Sequence, residues 1–145
     1  MGETQTLKSR DGFQLSVLCE APRGKRRGTL VLLQEVFGLT SFLRDVASRW
    51  AVRGYGVLVP ALLDRSQRDL ALAYDAPGIS RGHGLALHLG MEKPLDDIQA
   101  TIDLAAETDE RVAVVGFGWG ATLAYLTACK ARRLRCAVGY CGSDI

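Results

Sequence analysis

The spacing of hydrophobic positions changes along this chain, from alternation near the N-terminus to continuous apolar runs farther on. Apolar and polar residues alternate in Thr4–Lys8 and Phe13–Cys19, which an Asp-Gly turn joins, so a β-hairpin is predicted. Two later runs, Thr29–Leu33 and Val112–Val115, are apolar throughout. Such runs are typical of strands that are buried on both faces of a parallel sheet.

Helices and strands alternate through the rest of the chain. Apolar residues at helical spacing predict the helices, and short apolar runs predict the strands. In order, these elements are a helix over Ser41–Val52, a strand over Val57–Pro60, a helix after Pro94, a helix over Ala121–Lys130 and a strand over Cys136–Tyr140. We therefore expect one α/β domain over residues 1–145, with a mostly parallel sheet and flanking helices.

One long segment interrupts this alternation. Asp64–Gly90 is polar and rich in glycine, and the only element predicted in it is a short helix near Gln67–Tyr74. We expect this segment to cover an edge or a cleft of the sheet.

Composition narrows the possible functions. The 145 residues are 48% hydrophobic and carry a net charge of +2, which is too balanced for a nucleic-acid-binding surface. No apolar run approaches the roughly 20 residues of a membrane helix, and the N-terminus has no apolar signal core, so a cytoplasmic location is expected. No metal site is expected, because His83 and His88 are five residues apart. The four cysteines are predicted to be small buried side chains: Cys19, Cys129, Cys136 and Cys141.

Two loops follow the predicted buried strands and could carry chemistry, because ligands bind beyond the carboxyl ends of parallel strands. In the first loop, Glu35 comes directly after an apolar strand. Burying an unpaired carboxylate there would cost several kcal/mol, so packing explains it poorly. Glu35 is predicted to act in a site, with a capping role as the alternative.

The second loop, Gly116–Ala121, reads Gly-Phe-Gly-Trp-Gly-Ala between a strand and a helix. This pattern is typical of a nucleophile elbow, in which glycines flank a serine or cysteine held in a strained turn. Gly116 and Gly120 occupy the flanking positions. The central Gly118 has no side chain that could attack a carbonyl, and it adopts a positive φ without a Cβ clash.

Both loops resemble those of the dienelactone hydrolases, the carboxymethylenebutenolidase branch of the α/β-hydrolases. Gln34–Leu39 matches the family loop Q-E-[IV]-F-G-[LV] at every position. Gly116–Gly120 resembles the family elbow G-[FY]-C-[LW]-G-G, and Ala137–Gly142 resembles the strand end A-V-G-Y-[YC]-G. The resemblance implies an α/β-hydrolase-like fold and nucleophilic opening of a small lactone or ester, with no cofactor.

The same resemblance implies roles for five residues. Glu35 is the carboxylate beside the nucleophile, and Gly118 stands at the nucleophile position itself. The backbone N–H groups of Val36 and Trp119 form the oxyanion hole that stabilises charge on the carbonyl oxygen. Arg65 binds a substrate carboxylate, with a solvated loop charge as the alternative.

The chain also departs from the family where the reaction needs side chains. Gly118 replaces the catalytic cysteine, and the acid and histidine of the triad should follow the elbow in chain order. Asp144 comes too early to be that acid, whereas His83 and His88 precede the elbow. Cys141 is the remaining candidate for a substitute thiol, although packing is the favoured role for it. We expect a fold that is incomplete after its last strand and a chain that, alone, is a pseudoenzyme or a strongly impaired hydrolase.

Two other functions stay open at this point. Gly116-x-Gly118-x-x-Ala121 satisfies the dinucleotide fingerprint G-x-G-x-x-[GA], although no acidic residue follows at the expected interval of about 20 residues. The last strand, Cys136–Tyr140, would leave an open apolar edge, and such edges pair with other chains. The chain would then be a non-catalytic module that forms homo-oligomers or binds a partner chain.

Overall fold

A six-stranded sheet organises the chain in the computed structural model, which describes residues 2–143. Its strands run in the order β1-β2-β4-β3-β5-β6 across the sheet. Strand β2 pairs antiparallel with both β1 and β4, and the other three strand pairs are parallel. This arrangement confirms the predicted hairpin and the mostly parallel sheet. The strands are β1 Glu3–Lys8, β2 Gln14–Glu20, β3 Gly28–Leu33, β4 Tyr55–Pro60, β5 Val112–Phe117 and β6 Cys136–Tyr140.

Helices lie on both faces of this sheet. They are α1 Ser41–Val52, α2 Ala76–Leu89, α3 Glu92–Thr108 and α4 Trp119–Lys130, and a short 3-10 turn covers Leu62–Arg65. Helix α1 packs on one face, whereas α3 and α4 pack on the other. No helix within residues 2–143 combines the length and apolarity needed to cross a bilayer.

Strand β3 lies at the centre of this arrangement. All six of its residues are buried, and their side chains alternate between the two faces. Leu30 and Leu32 pack with α1, whereas Val31 and Leu33 pack with α3 and α4. The predicted strand buried on both faces is therefore confirmed. The loop that contains Glu35 follows the carboxyl end of β3, at the same end of the parallel strands as the start of α4.

The predicted short helix near Gln67–Tyr74 is wrong, and the segment holds a long helix elsewhere. Ala71 instead forms a β-bridge with Gly38, and α2 begins after Asp75. The Asp75 side chain accepts a hydrogen bond from the N–H of Gly78 at 2.7 Å, which caps the helix. The glycines that argued against a helix allow close approach, since a Cβ on Gly82 would meet the carbonyl oxygen of Val36.

The prediction of four buried cysteines is also wrong. Cys129, Cys136 and Cys141 are exposed, and Cys19 is partly buried. Strand β6 lies at the end of the sheet order, and its residues Cys136, Val138 and Tyr140 are exposed. Among the described residues, β6 is therefore an exposed edge strand.

Candidate active site

The turn between β5 and α4 reverses the chain at a single residue, Gly118. Its backbone angles are φ 52° and ψ −118°, in the left-handed region that side-chain-bearing residues adopt only under strain. The N–H of Gly118 donates to the carbonyl oxygen of Tyr140 at 2.9 Å. Its own carbonyl oxygen accepts from the N–H of Ala121 at 2.9 Å. Backbone hydrogen bonds on both sides thus hold the geometry of a nucleophile elbow.

The three glycines of this elbow have different surroundings. A Cβ on Gly116 would collide with the backbone of Gly120, and a Cβ on Gly120 would collide with the carbonyl oxygens of Leu33 and Gln34. Glycine is therefore a steric requirement at both flanking positions. Within the described part of the chain, a Cβ on Gly118 would meet only the side chain of Glu35, at 3.7 Å from Cγ, so this position has room for a side chain that faces the carboxylate.

Glu35 is held by a tyrosine that sequence reasoning missed. Its Oε2 accepts a hydrogen bond from the hydroxyl of Tyr74 at 3.0 Å, and that hydroxyl lies 3.0 Å from Oγ1 of Thr40. Desolvation of the phenol, together with the negative charge of Glu35, raises the pKa of Tyr74 above its ordinary value. Tyr74 therefore remains a proton donor at neutral pH. Thr40, not Glu35, caps α1, so the predicted capping alternative for Glu35 does not apply.

Tyr74 is positioned by a strap, residues 70–74, that lies across the Glu35 loop. The N–H of Leu39 donates to the carbonyl oxygen of Leu70 at 3.0 Å, and the N–H of Leu72 donates to that of Phe37 at 2.8 Å. The rings of Phe37 and Tyr74 pack with their centroids 4.4 Å apart. No local pattern marks Tyr74, because 39 residues separate it from Glu35.

The two loops that meet at Gly118 carry N–H groups that have no protein acceptor in the described part of the chain. Within residues 2–143, the backbone N–H groups of Val36 and Trp119 donate to no protein acceptor, and the indole Nε1 of Trp119 is buried without a partner. Trp119 is the first residue of α4, where the helix dipole places partial positive charge. These donors lie on the two loops that meet at Gly118, which suits an electron-rich oxygen atom.

The side chain of Arg65 is mostly buried and paired with two aspartates of the chain. It is therefore not the solvated loop charge that the sequence offered as an alternative, and its guanidinium is occupied by protein carboxylates rather than open to a substrate. Its Nε and Nη2 donate to the two carboxylate oxygens of Asp97 at 2.8 Å each, and Nη1 and Nη2 donate to Asp11 at 2.7 and 2.9 Å. The guanidinium also lies over the ring of Phe13, 4.4 Å from its centroid. The side chain of Asp97 is fully buried and that of Arg65 is 7% exposed. Arg65 therefore pairs protein carboxylates, because Asp11 and Asp97 approach it from distant parts of the chain.

The remaining predicted chemistry is dispersed. His83 and His88 lie on exposed positions of α2, and no group of three metal-binding side chains occurs within residues 2–143. Asp144 lies outside the described residues. The Gly-rich turn has the strand–turn–helix context of a dinucleotide site, but the Glu35 carboxylate beside Gly118 would repel a pyrophosphate.

Comparison with known proteins agrees with the fold. A carboxymethylenebutenolidase 1 from Cupriavidus pinatubonensis is 32% identical over 142 residues, and one from Pseudomonas putida is 30% identical over 141 residues. Each match covers 94% of this chain but 59% of the relative, so the chain spans about three fifths of the length of these proteins.

A crystal structure of a Klebsiella pneumoniae protein assigned as a dienelactone hydrolase superposes with a TM-score of 0.82, at 22% identity. That superposition covers 100% of this chain and 61% of the other, and it shows the shared α/β-hydrolase fold. The sequence model of the dienelactone hydrolase family matches residues 15–145. On these grounds the chain belongs to the dienelactone hydrolase family.

Proposed function

We propose that this chain binds the carbonyl group of a small ester or lactone at its elbow and, on its own, is a strongly impaired hydrolase. One observation carries the proposal: Gly118 keeps the elbow backbone and faces Glu35, yet it supplies no nucleophile. We infer that this chain has the backbone geometry for binding a carbonyl group but not the side chain that would attack it.

The unpartnered N–H groups support carbonyl binding. Val36 is buried and its N–H has no acceptor among the described residues, so a ligand oxygen that accepts from Val36 and Trp119 would satisfy donors that otherwise lack a protein partner. In a reacting ester, negative charge develops on that oxygen, and the same donors would stabilise it. Glu35 lies on the side of the elbow from which a nucleophile would approach.

The missing nucleophile supports the predicted impairment. Family members attack the carbonyl with a thiol, whereas Gly118 has no side chain atom beyond Cα. Enzymes that lose triad members keep roughly 10³–10⁴-fold acceleration over water, from the oxyanion hole and binding alone. We expect turnover of this chain to lie in that residual range.

Carbonyl binding is tested by titrating the ¹⁵N-labelled chain with γ-butyrolactam, a cyclic carbonyl compound that resists hydrolysis. We expect concentration-dependent shifts of the Val36 and Trp119 amide signals, while the amide of Leu87, on the exposed side of α2, stays in place. A native spectrum in which neither Val36 nor Trp119 moves would contradict the proposal.

Impairment is tested by steady-state hydrolysis of p-nitrophenyl acetate and of an unsaturated γ-lactone. We expect rates far below the enzyme median of about 10 s⁻¹. Turnover near that median, lost on Glu35→Ala, would show that the chain is a competent hydrolase and would contradict the impairment.

Self-association is a second candidate, favoured by the uncovered strand β6. Val138 is 41% exposed and Tyr140 is 54% exposed on this edge strand, which pairs with β5 on its inner side. An exposed apolar edge can pair with the same edge of a second copy. Light scattering should then give a dimer mass that Val138→Lys reduces to a monomer and the matched exposed change Leu87→Lys leaves intact. A monomer mass for the unchanged chain at micromolar concentration would reject this candidate.

A further inference from the structure

We propose that the slow hydrolysis retained at this elbow uses a water molecule as the nucleophile, with Glu35 as its general base. This inference rests on the proposed carbonyl binding. It assigns to Glu35 a proton-transfer role that needs no side chain at position 118, and it predicts direct hydrolysis without a covalent intermediate.

The space above Gly118 supports this role. Among residues 2–143 and apart from its chain neighbours, a Cβ at this position would have only Glu35 within 4 Å, so a water molecule can take the place of a side chain without displacing the described protein atoms. Water there lies between the carboxylate and a carbonyl carbon whose oxygen accepts from Val36 and Trp119. A general base must come within hydrogen-bond reach of the proton that it removes, and Glu35 is the ionisable group that borders this space.

The two oxygens of Glu35 are not equivalent. Oε2 accepts the hydrogen bond from Tyr74, whereas Oε1 has no hydrogen-bond partner within residues 2–143. Tyr74 is itself fixed by Thr40 and by its packing against Phe37. Tyr74 is therefore a positioning residue that orients the carboxylate and leaves one oxygen free for water.

The proposed hydrolysis needs one water molecule, the Glu35 carboxylate and the N–H groups of Val36 and Trp119. As the water oxygen bonds to the carbonyl carbon, one water proton passes to Glu35, and the carbonyl π electrons move onto the oxygen held by Val36 and Trp119. The tetrahedral intermediate collapses, the bond to the alkoxide breaks, and Glu35 returns its proton to the leaving oxygen. The products are a carboxylic acid and an alcohol, and Glu35 is restored as a carboxylate.

The first test compares Glu35→Gln with Glu110→Gln in hydrolysis of p-nitrophenyl acetate by the full chain. Both changes replace one carboxylate with an amide of nearly the same size, and Glu110 lies on an exposed loop before β5. General-base catalysis contributes about 10²–10⁴-fold, so Glu35→Gln should lower kcat about 100-fold with KM nearly unchanged. Glu110→Gln should leave both constants unchanged. Equal kcat for Glu35→Gln and the unchanged chain, or no rate above buffer, would overturn the proposal.

Tyr74→Phe provides a second variant that removes one hydroxyl group and keeps the ring packing. Loss of the hydrogen bond that orients Glu35 should lower kcat by several-fold, less than Glu35→Gln, because the base remains. A kcat for Tyr74→Phe below that of Glu35→Gln would show that the phenol, not the carboxylate, carries the proton transfer.

Mass spectrometry on the unchanged chain tests the water step without any variant. During turnover, acid-quenched samples should carry no acetyl group on the peptide that contains Glu35, and p-nitrophenolate should appear without a burst. An acetylated Glu35 peptide would make this residue a nucleophile and overturn the general-base assignment. The lactam titration separates the two proposals: shifted Val36 and Trp119 signals with an unaffected Glu35→Gln rate would reject the water mechanism and keep carbonyl binding.

Discussion

Two polar regions follow neighbouring strands of the sheet and differ in how their groups are satisfied. After β4, Arg65 is paired with Asp97 and Asp11 through four hydrogen bonds. After β3 and β5, the N–H groups of Val36 and Trp119 remain without acceptors among the described residues. Pairing within the chain indicates a structural role, whereas unpaired donors at a turn indicate a place for a ligand.

The difference follows from the cost of removing charge from water. Asp97 is fully buried, so its carboxylate is tolerated only because Arg65 binds both of its oxygens. The elbow carries neutral donors, which need no counter-charge and whose missing hydrogen bonds a ligand oxygen can supply. The substrate role predicted for Arg65 rests on family resemblance alone. A sequence resemblance does not show that Asp11 and Asp97 of the same chain approach this arginine.

The largest expected effect is on the paired region. Arg65→Ala leaves Asp97 buried without its counter-charge, which should lower the free energy of unfolding by about 3–5 kcal/mol. Arg10→Ala, at a side chain that is 86% exposed and 4.0 Å from Asp96, should change it by less than about 1 kcal/mol. Urea denaturation measures both. Equal, small losses would show that the Arg65 cluster is not structural.

Gly120→Ala should come next, with a loss of about 3 kcal/mol, the upper end for overpacked sites. The added methyl collides with the carbonyl oxygens of Leu33 and Gln34, so α4 must move away from β3. Gly84→Ala on α2 is the matched control, because nothing lies within 4 Å of its Cβ. That change should stabilise the chain by about 0.5–1 kcal/mol, the usual gain for alanine in a helix. A stable Gly120→Ala chain would contradict the close approach.

Gly118→Ala should cost less, about 1–2 kcal/mol, from the left-handed backbone rather than from a collision. Its methyl has room beside Glu35 but occupies the space assigned to water. We therefore expect a folded chain with reduced ester hydrolysis, measured by thermal melting and by initial rates. An unfolded Gly118→Ala chain would show that position 118 has no room for a side chain.

The smallest effect is a pH dependence at the edge of the paired region. Hydrogen bonds from Arg65 hold the pKa of Asp11 well below its ordinary value. A depressed pKa in the folded state stabilises the fold above the ordinary aspartate pKa of about 3.9, and this contribution is lost as pH falls below it. Asp11→Asn should therefore flatten the acid-side loss of melting temperature, whereas Asp45→Asn on exposed α1 should not. Parallel acid profiles for Asp11→Asn and the unchanged chain would contradict the assignment.

The spacing of apolar residues was sufficient to predict most of the helices and strands. Helix Ser41–Val52 and strand Cys136–Tyr140 were predicted with the bounds that the structure has. Helix α2 was missed because its glycines lower helix propensity, whereas contact of Gly82 with the Val36 carbonyl favours them. The sequence placed Glu35 and Gly118 in neighbouring loops, but Tyr74 and the partners of Arg65 depend on contacts between distant residues. Those contacts have no periodic signature.

Gly118→Cys restores a thiol at the elbow and tests whether the elbow backbone is competent without its nucleophile. The new thiol should be acetylated stoichiometrically by p-nitrophenyl acetate, because it faces Glu35 and lies at the turn whose N–H groups we propose to bind the carbonyl oxygen. Peptide mapping by mass spectrometry separates this acetylation from any on the exposed Cys129, Cys136 and Cys141. We expect acetylation at position 118 ahead of these cysteines. A folded Gly118→Cys chain that acetylates there no faster than at the exposed cysteines would contradict it.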